Sequence, residues 1–180
     1  FVDKLLAGEY RIDQRAILQA TIVTPNGESD IYAFNDIVLT RPSIAKMIHL
    51  ETFVDGRSFN TYYGDGVVVS TPTGSTAYNL AAGGPIVHPH VSAIILNPIC
   101  PHVLSNRSIV LPDSQEVIIV VKSGKASDNI YLTLDGQKGY PLLADDRIRV
   151  KRGSMKAVMV RFPQRSYFEI LRSKLKWQER

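Results

Sequence analysis

Glycine, serine and threonine crowd one short stretch of the chain, STPTGSTAY at 70–78. A helix-like segment begins within it at Thr76, extends to Ala82 and is stopped by Gly83-Gly84-Pro85. The free backbone N–H groups at such a helix start suit an anion or the polar atoms of a nucleotide. Hydroxyl donors for the same ligand could come from Thr71, Thr73, Ser75 and Thr76, and an aromatic face for a base from Tyr78. The alternative is an ordinary strand–turn–helix connection; without a following Gly-Lys-Ser/Thr, the stretch is not a Walker A loop.

A second candidate is the polar pair Asn35-Asp36, which interrupts an otherwise apolar strand pattern, YAF-ND-IVL. Neighbouring residues of a strand point to opposite faces, so at least one of the two faces the core side. A buried Asn or Asp must be hydrogen-bonded, and at the edge of a site it can serve ligand hydroxyls. A bulge or a strand end would explain the pair equally well.

Three other patterns have simpler explanations than catalysis. Ser43-Ile44-Ala45-Lys46 has the S-x-x-K spacing of serine acyl-transferring enzymes, but the partner motifs S-D-N and K-T-G are absent. His88-Pro89-His90 and Cys100-Pro101-His102 could supply zinc ligands, although one cysteine and three histidines beside prolines are a weak zinc pattern. Asp135-Gly136-Gln137 is typical of a hairpin turn. We therefore predict no metal site.

The elements that position these residues are mostly strands. A turn at Pro25-Asn26-Gly27 separates strand patterns at 16–23 and 30–39, and Asp55-Gly56 separates those at 49–54 and 57–63. Further strand patterns lie at 66–70, 92–96, 107–111, 116–121, 129–134, 147–152 and 156–162. Short strands with Gly, Pro and Asp between them indicate an all-β sandwich or barrel-like domain.

Two helices stand out from the strands. The first covers 76–82, and the second begins at Ser166, with Glu169 completing a capping box. Its apolar residues Tyr167, Ile170, Leu171 and Leu175 recur at helical spacing, so one face of this helix must be buried. The first ten residues resemble the end of a helix.

Composition and charge exclude several classes of protein. The 180 residues are 44% apolar and 21% charged, as in soluble globular proteins, and the single cysteine permits no intrachain disulfide. No apolar run approaches the roughly 18 residues of a membrane span, so we predict no membrane partner and a cytoplasmic location. Residues 1–146 carry 10 Lys and Arg against 15 Asp and Glu, and residues 147–180 carry 11 against 2. This basic end could meet nucleic acid, a nucleotide phosphate or an acidic domain, but its basic residues alternate with apolar ones, so we favour a solvated face and no nucleic acid.

Several segments, in order and spacing, resemble the C-terminal domain of the NAD kinase family. They are FNDIVL (34–39), DGVVVSTPTGSTAYNLAAGGPIVHP (65–89), NPICPHVLSNRSIVLP (97–112), LTLDGQ (132–137) and the closing EILRSKLKW (169–177). The resemblance implies a mainly β, sandwich-like domain of the NAD kinase/diacylglycerol kinase-like fold, with a short helix after the STPTGSTAY turn and a C-terminal helix. The diacylglycerol and sphingoid lipid kinases share the architecture but not so full a STPTGSTAY block.

The resemblance also implies which residues contact NAD. Asn35 and Asp36 match the pair that holds adenosine and its ribose, and residues 76–81 match the lining of the adenosine pocket. Asp65, with Tyr63 before it, matches a position that contacts a base, often across a dimer interface. The predicted binding residues are Asn35, Asp36, Lys46, Tyr63, Asp65, Thr73, Thr76, Ala77, Tyr78, Asn79, Leu80, Ala81, Cys100 and Gln137.

The resemblance implies a phosphoryl transfer. Members of the family move the γ-phosphoryl group of ATP, or of polyphosphate, to the 2′-hydroxyl of the adenosine ribose of NAD, giving NADP with Mg²⁺ or another divalent metal. The family's Gly-Gly-Asp-Gly motif, whose aspartate is the proposed general base, is not among these residues, because Gly64-Asp65-Gly66 matches the other aspartate. We therefore expect the chain to supply the NAD site, to contain no catalytic residue and to be inactive alone.

The same resemblance implies a domain organisation and partners. Residues 1–10 would end an N-terminal α/β domain, 11–162 would form the β-rich NAD-binding domain, and 163–180 would form a helix that packs toward the N-terminal domain. The family assembles as homodimers or homotetramers. The alternatives are a lipid kinase, for which the Thr/Ser/Asn/Tyr lining is too polar, and a non-catalytic dinucleotide-binding module.

Overall fold

The computed structural model describes residues 2–41, 47–103, 105–122, 130–162 and 165–177. Within these residues the chain is mainly β, as predicted, and it has two antiparallel sheets of six strands each and three helices. Sheet A consists of β1 (Arg11–Thr24), β2 (Gly27–Ala33), β4 (Ile48–Val54), β5 (Arg57–Gly64), β9 (Val117–Val121) and β12 (Arg147–Arg161), in the order β2-β1-β12-β9-β4-β5. Sheet B consists of β3 (Asp36–Thr40), β6 (Gly66–Ser70), β7 (Ala93–Ile99), β8 (Ile109–Pro112), β10 (Ile130–Leu134) and β11 (Lys138–Leu142), in the order β11-β10-β3-β6-β7-β8.

The chain has two compact units, Ala16–Lys156 and the pair Phe1–Arg15 with Ala157–Arg180. In the larger unit the two sheets share one apolar core, because alternate residues of a strand point to the same face. Sheet A contributes among others Leu18, Leu50, Ile119 and Val150, and sheet B contributes Ile37, Leu39, Val67, Leu96 and Leu132. All nine of these side chains are buried. The sandwich predicted from the strand pattern is therefore the architecture of this unit.

Two strand predictions were wrong in their bounds. The pattern at 30–39 is divided between β2 of sheet A and β3 of sheet B, and Phe34-Asn35 is the crossover between the sheets. The patterns at 147–152 and 156–162 form one strand, β12, through Gly153. A Cβ at Gly153 would lie 3.2 Å from the carbonyl oxygen of Ile17. This glycine therefore permits a close approach to the backbone of β1 and does not separate two strands.

The smaller unit contains two helices, α1 (Val2–Leu6) and α3 (Tyr167–Leu175). The predicted capping box is present, since Ser166 Oγ accepts from the N–H of Glu169 at 3.2 Å and Glu169 Oε2 accepts from the N–H of Ser166 at 2.6 Å. The bonds that Glu169 Oε2 accepts from the N–H and the hydroxyl of Ser166 lower the pKa of Glu169. The predicted apolar stripe of α3 is the less exposed side of the helix, with Leu171 buried, whereas Phe168 is 63% exposed.

Candidate functional site

The loop after β6 is built on the end of sheet B and crosses its outer face. It begins at Thr71, makes one 3₁₀ turn at Gly74–Thr76 and continues into α2 (Tyr78–Ala81). Ala82 then packs against Val38 and Val68, which point away from the sandwich core. The predicted helix at 76–82 is thus only four residues long, and neither it nor the 3₁₀ turn has a side-chain cap. So short a helix has little dipole, and ligand binding at its start stays a prediction.

The loop is pressed against the crossover between the sheets. The carbonyl oxygen of Asn35 accepts hydrogen bonds from the N–H of Thr71 at 2.9 Å and from the hydroxyl of Ser70 at 3.2 Å. A Cβ at Gly74 would lie 2.0 Å from this same oxygen, so only glycine fits here. Two of the segments that resemble the NAD kinase family, 34–39 and 65–89, therefore touch each other at this end of sheet B.

Asp36 is the ionisable group at this contact. Its side chain is 2% exposed and accepts a hydrogen bond from the backbone N–H of Tyr78, the first residue of α2. Burial, and then the neighbouring Asp135 carboxylate, raise the pKa of Asp36 from 3.8 to about 6, and the bond from Tyr78 opposes the rise. Asp36 is therefore largely ionised at pH 7, and the hydrogen bond from Tyr78 links α2 to β3.

Two of the predicted hydroxyl donors point inward. Thr71 Oγ1 donates to the carbonyl oxygen of Phe34 at 2.8 Å and accepts from the N–H of Gly74 at 3.0 Å. Ser75 Oγ lies 2.6 Å from the oxygen of Pro72 and accepts from the N–H of Val87 at 3.0 Å. Both side chains are buried. The expectation that they face a ligand was wrong, because the loop needs them to satisfy its own backbone.

Asn79 also faces inward. It is 0% exposed, and its Nδ2 donates to the carbonyl oxygens of Ser75 at 3.2 Å and Pro85 at 3.1 Å. Asn97 of β7 supports it from below, donating to the oxygens of Asn79 and Ala82 at 3.3 and 3.2 Å. Sequence reasoning missed Asn97, whose only signal is an asparagine inside a buried strand, AIILNPI. These two amides fix the path of α2 and its flanking residues.

The outward-facing residues of the loop are at least partly exposed to solvent. Tyr78 is 45% exposed, Ala81 is exposed, and Thr73, Thr76, Ala77 and Leu80 are half-buried. Asn35 is half-buried, and its side chain has no hydrogen bond to any residue that the structure describes. Gln137 lies at the same end of sheet B, in the turn whose Asp135 contacts the crossover. Most of the predicted binding residues are thereby brought together around Asn35 and α2.

A second group of predicted residues lies at the opposite end of the same strands. Asp36 pairs with Ser70 in β6, whereas Gly66, which follows Asp65, pairs with Ile99 and lies four residues further along that strand. This separation is about 13 Å along a strand. The Asp65 carboxylate is hydrogen-bonded to the Cys100 thiol, which raises the thiol's pKa, and Tyr63 stacks on His49 with ring centroids 4.4 Å apart. A ligand that reaches both groups must therefore lie along the strands.

Other predictions concern lysine, metals and membranes. Lys46, with the S-x-x-K pattern at 43–46, lies outside the described residues. His88 and His90 pack edge to face, 5.2 Å apart, and no described His, Cys, Asp or Glu residues form a group of three or more that could hold a metal ion. None of the helices in the described part of the chain is long and apolar enough to cross a membrane.

The fold and the site together define a β-sandwich domain with a glycine- and hydroxyl-rich loop over one outer face. The model of the ATP-NAD kinase C-terminal domain matches residues 34–162, and the chain belongs to that family. It is 44% identical to an NAD kinase of Sulfurimonas denitrificans and 43% identical to one of Wolinella succinogenes, over 99% and 98% of its length. The chain spans 62% and 60% of those two relatives.

Solved structures of the family share this fold. A yeast NADH kinase complexed with NADH superposes with a TM-score of 0.91 at 29% identity, covering 99% of this chain and 54% of the yeast chain. An NAD kinase from Archaeoglobus fulgidus in complex with ATP has a TM-score of 0.78 at 25% identity, covering 97% of this chain and 64% of the other. The predicted family and fold class are confirmed.

Proposed function

We propose that this chain forms the NAD-binding part of an enzyme that transfers the γ-phosphoryl group of ATP, or of polyphosphate, to the 2′-hydroxyl of the adenosine ribose of NAD, giving NADP. The observation that carries the proposal is the contact between the crossover and the loop. Asp36 accepts from the N–H of Tyr78, and Gly74 lies against the oxygen of Asn35. Two polar segments far apart in sequence are thereby joined beside an exposed aromatic ring and an amide with no partner among the described residues.

The chemistry of these groups suits an adenosine. The half-buried amide of Asn35 can donate to and accept from ribose or base atoms, and its burial makes an unfilled hydrogen bond costly. The 45% exposed ring of Tyr78 can stack on a base. In phosphoryl transfer the protein mainly positions the acceptor and neutralises charge. The described residues support the first of these tasks.

We further infer that the rest of the reaction uses residues beyond these 180. The general base, most of the phosphate contacts and Mg²⁺ or another divalent metal would belong to an N-terminal α/β domain, toward which residues 163–180 would pack. Asp65, Tyr63 and Cys100 would contact the ligand in a homodimer or homotetramer, which accords with their place at the far end of β6. Residues 1–180 alone would then form no NADP. We place the enzyme in the cytoplasm.

The experiment is the substitution Asn35→Ala in the full-length enzyme, assayed with NAD, ATP and Mg²⁺. We expect the KM for NAD to rise about tenfold or more, because the ligand loses a positioned amide. The melting temperature should change by less than about 2 °C, because the Asn35 backbone makes the structural contacts.

Asn26→Ala, a substitution of an exposed turn asparagine, serves as the control and should leave both quantities unchanged. Equal losses of stability and activity in Asn35→Ala would make Asn35 a structural residue. No NADP formation by the unmodified enzyme would overturn the proposed function itself.

A further inference from the structure

The hairpin that joins β10 and β11 turns at Asp135-Gly136, and both residues have positive φ, +49° and +68°. The N–H of Gln137 donates to the oxygen of Leu134 at 2.9 Å and closes the turn. Asparagine, aspartate and glycine all tolerate this backbone conformation. The turn therefore does not itself require the Asp135 carboxylate.

That carboxylate is bonded to the crossover between the two sheets. Asp135 Oδ1 accepts from the N–H of Asn35 at 2.6 Å and of Asp36 at 3.1 Å, and Oδ2 accepts from the N–H of Phe34 at 2.9 Å. The N–H of Asp135 donates in return to the oxygen of Asp36 at 3.0 Å. One side chain thus satisfies three consecutive backbone donors about 100 positions away in sequence.

The crossover is held from its other side by the loop. The oxygens of Phe34 and Asn35 accept from Thr71, and Gly74 lies against Asn35. The backbone of Asn35 is therefore fixed between Asp135 and the loop, which leaves only its side chain free to turn toward a ligand. The three hydrogen bonds from the crossover to the Asp135 carboxylate are called the clamp below. Loss of the clamp would leave three backbone N–H groups without their partners and release one side of the crossover.

The clamp also has an electrostatic cost, which indicates that it is not an incidental turn contact. Asp135 brings a second carboxylate beside the buried Asp36 and disfavours its ionised form. An asparagine in the same turn would avoid this repulsion and still fit the positive φ. What only a carboxylate supplies is two acceptor oxygens for three N–H groups.

We propose that Asp135 is a positioning residue, which holds the Asn35-Asp36 edge of the site in the geometry that binds the adenosine ribose of NAD. The ligand named here rests on the proposed function, whereas the clamp rests on the hydrogen bonds alone. Asp135 would act through the crossover that it holds, so its removal should weaken NAD binding more than it slows the chemical step.

The molecule contains a matched control in the hairpin between β4 and β5. Asp55-Gly56 has nearly the same turn, with φ of +48° and +74°. Asp55 Oδ1 accepts from the N–H of Glu116 at 2.9 Å, and its own N–H donates to the oxygen of Glu116 at 3.0 Å. These Asp55 bonds lie in sheet A, whereas the loop follows β6 of sheet B.

The test compares Asp135→Gly with Asp55→Gly in the full-length enzyme, since glycine keeps each turn and deletes each carboxylate. We expect Asp135→Gly to raise the KM for NAD about tenfold or more, with kcat within about threefold and the KM for ATP unchanged. Asp55→Gly should leave the KM for NAD within about twofold, and it should lower the melting temperature less, because Asp55 accepts one backbone N–H where Asp135 accepts three. Asp135→Asn, which keeps one acceptor oxygen, should lie between the unmodified enzyme and Asp135→Gly, and it decides the question if the glycine variant does not fold.

An unchanged KM for NAD in a folded Asp135 variant would overturn the proposal, and so would a loss of kcat alone, which would assign Asp135 to the chemistry. Amide hydrogen exchange separates this inference from the proposed function. Asp135→Gly should speed exchange at Phe34, Asn35 and Asp36 even if NAD is not the substrate. Unchanged protection of these three amides would show that no clamp exists.

Discussion

The two Asp-Gly hairpins of this domain differ in what their aspartates hold. Each aspartate follows the last paired residue of a strand and extends the pairing by one step, Asp55 to Glu116 and Asp135 to Asp36. Asp55 accepts hydrogen bonds from one backbone N–H, that of Glu116, and from the side-chain amide of Gln115. Asp135 accepts three backbone N–H groups at a crossover that the binding loop also touches. The same local turn thus serves sheet pairing in one place and the candidate site in the other.

The largest expected effect concerns the close packing of the loop against the crossover between the sheets. Gly74→Ala would place a Cβ 2.0 Å from the Asn35 oxygen, whereas a Cβ at Gly56 would have no neighbour within 4 Å. We expect Gly74→Ala to lower the free energy of unfolding by about 3 kcal/mol or more, because backbone must move. Gly56→Ala should cost about 1–2 kcal/mol for its positive φ alone. Chemical denaturation measures both, and a Gly74→Ala cost no larger than that of Gly56→Ala would remove the contrast between the regions.

A second experiment measures the cost of ionising the buried Asp36 beside the Asp135 hairpin, to which burial contributes most and the Asp135 carboxylate next. The pKa of Asp36 is raised from 3.8 to about 6 in the folded protein, so the folded state binds its proton more tightly than the unfolded state. Stability due to this group is therefore greatest below about pH 4 and declines as the pH rises through about 6.

Asp36→Asn lacks this decline and still offers an acceptor oxygen to Tyr78. Its free energy of unfolding, relative to the unmodified protein, should rise by about 1–3 kcal/mol between pH 4 and pH 7. Denaturation midpoints across this range measure the difference. A difference that stays constant with pH would show that folding does not raise the pKa of Asp36. It would also weaken the distinction between the two hairpins.

The smallest effect asks whether the turns themselves are equivalent. Gly56 and Gly136 have φ of +74° and +68°, and a Cβ at either position would meet nothing within 4 Å. We expect Gly56→Ala and Gly136→Ala to cost about 1–2 kcal/mol each and to differ by less than about 0.5 kcal/mol. A clearly larger loss for Gly136→Ala, measured by the same denaturation, would show that the clamp strains its own turn.

The local features of the fold were predictable from the residues because local interactions produce them. The Asp-Gly turns, the turn at Pro25-Asn26-Gly27 and the capping box of α3 depend on residues within about four positions of one another. The strand pattern gave the sandwich, and the order of the motifs gave the family. The strand bounds at 30–39 failed, because nothing local distinguishes a strand that passes from one sheet to another from one that continues.

The candidate site depended on both the sequence and the tertiary structure. The sequence by itself determined which segments carry polar groups and that Asn35-Asp36 interrupts a strand. Only the tertiary structure decided that Thr71, Ser75 and Asn79 turn inward, since the backbone donors and acceptors that bind them belong to the folded loop. It also decided that Asp135 reaches the crossover. From the sequence alone, a carboxylate in a hairpin turn could as well point into solvent. The partners of Asp135 lie about 100 positions away and are brought near only by the pairing of β10 with β3.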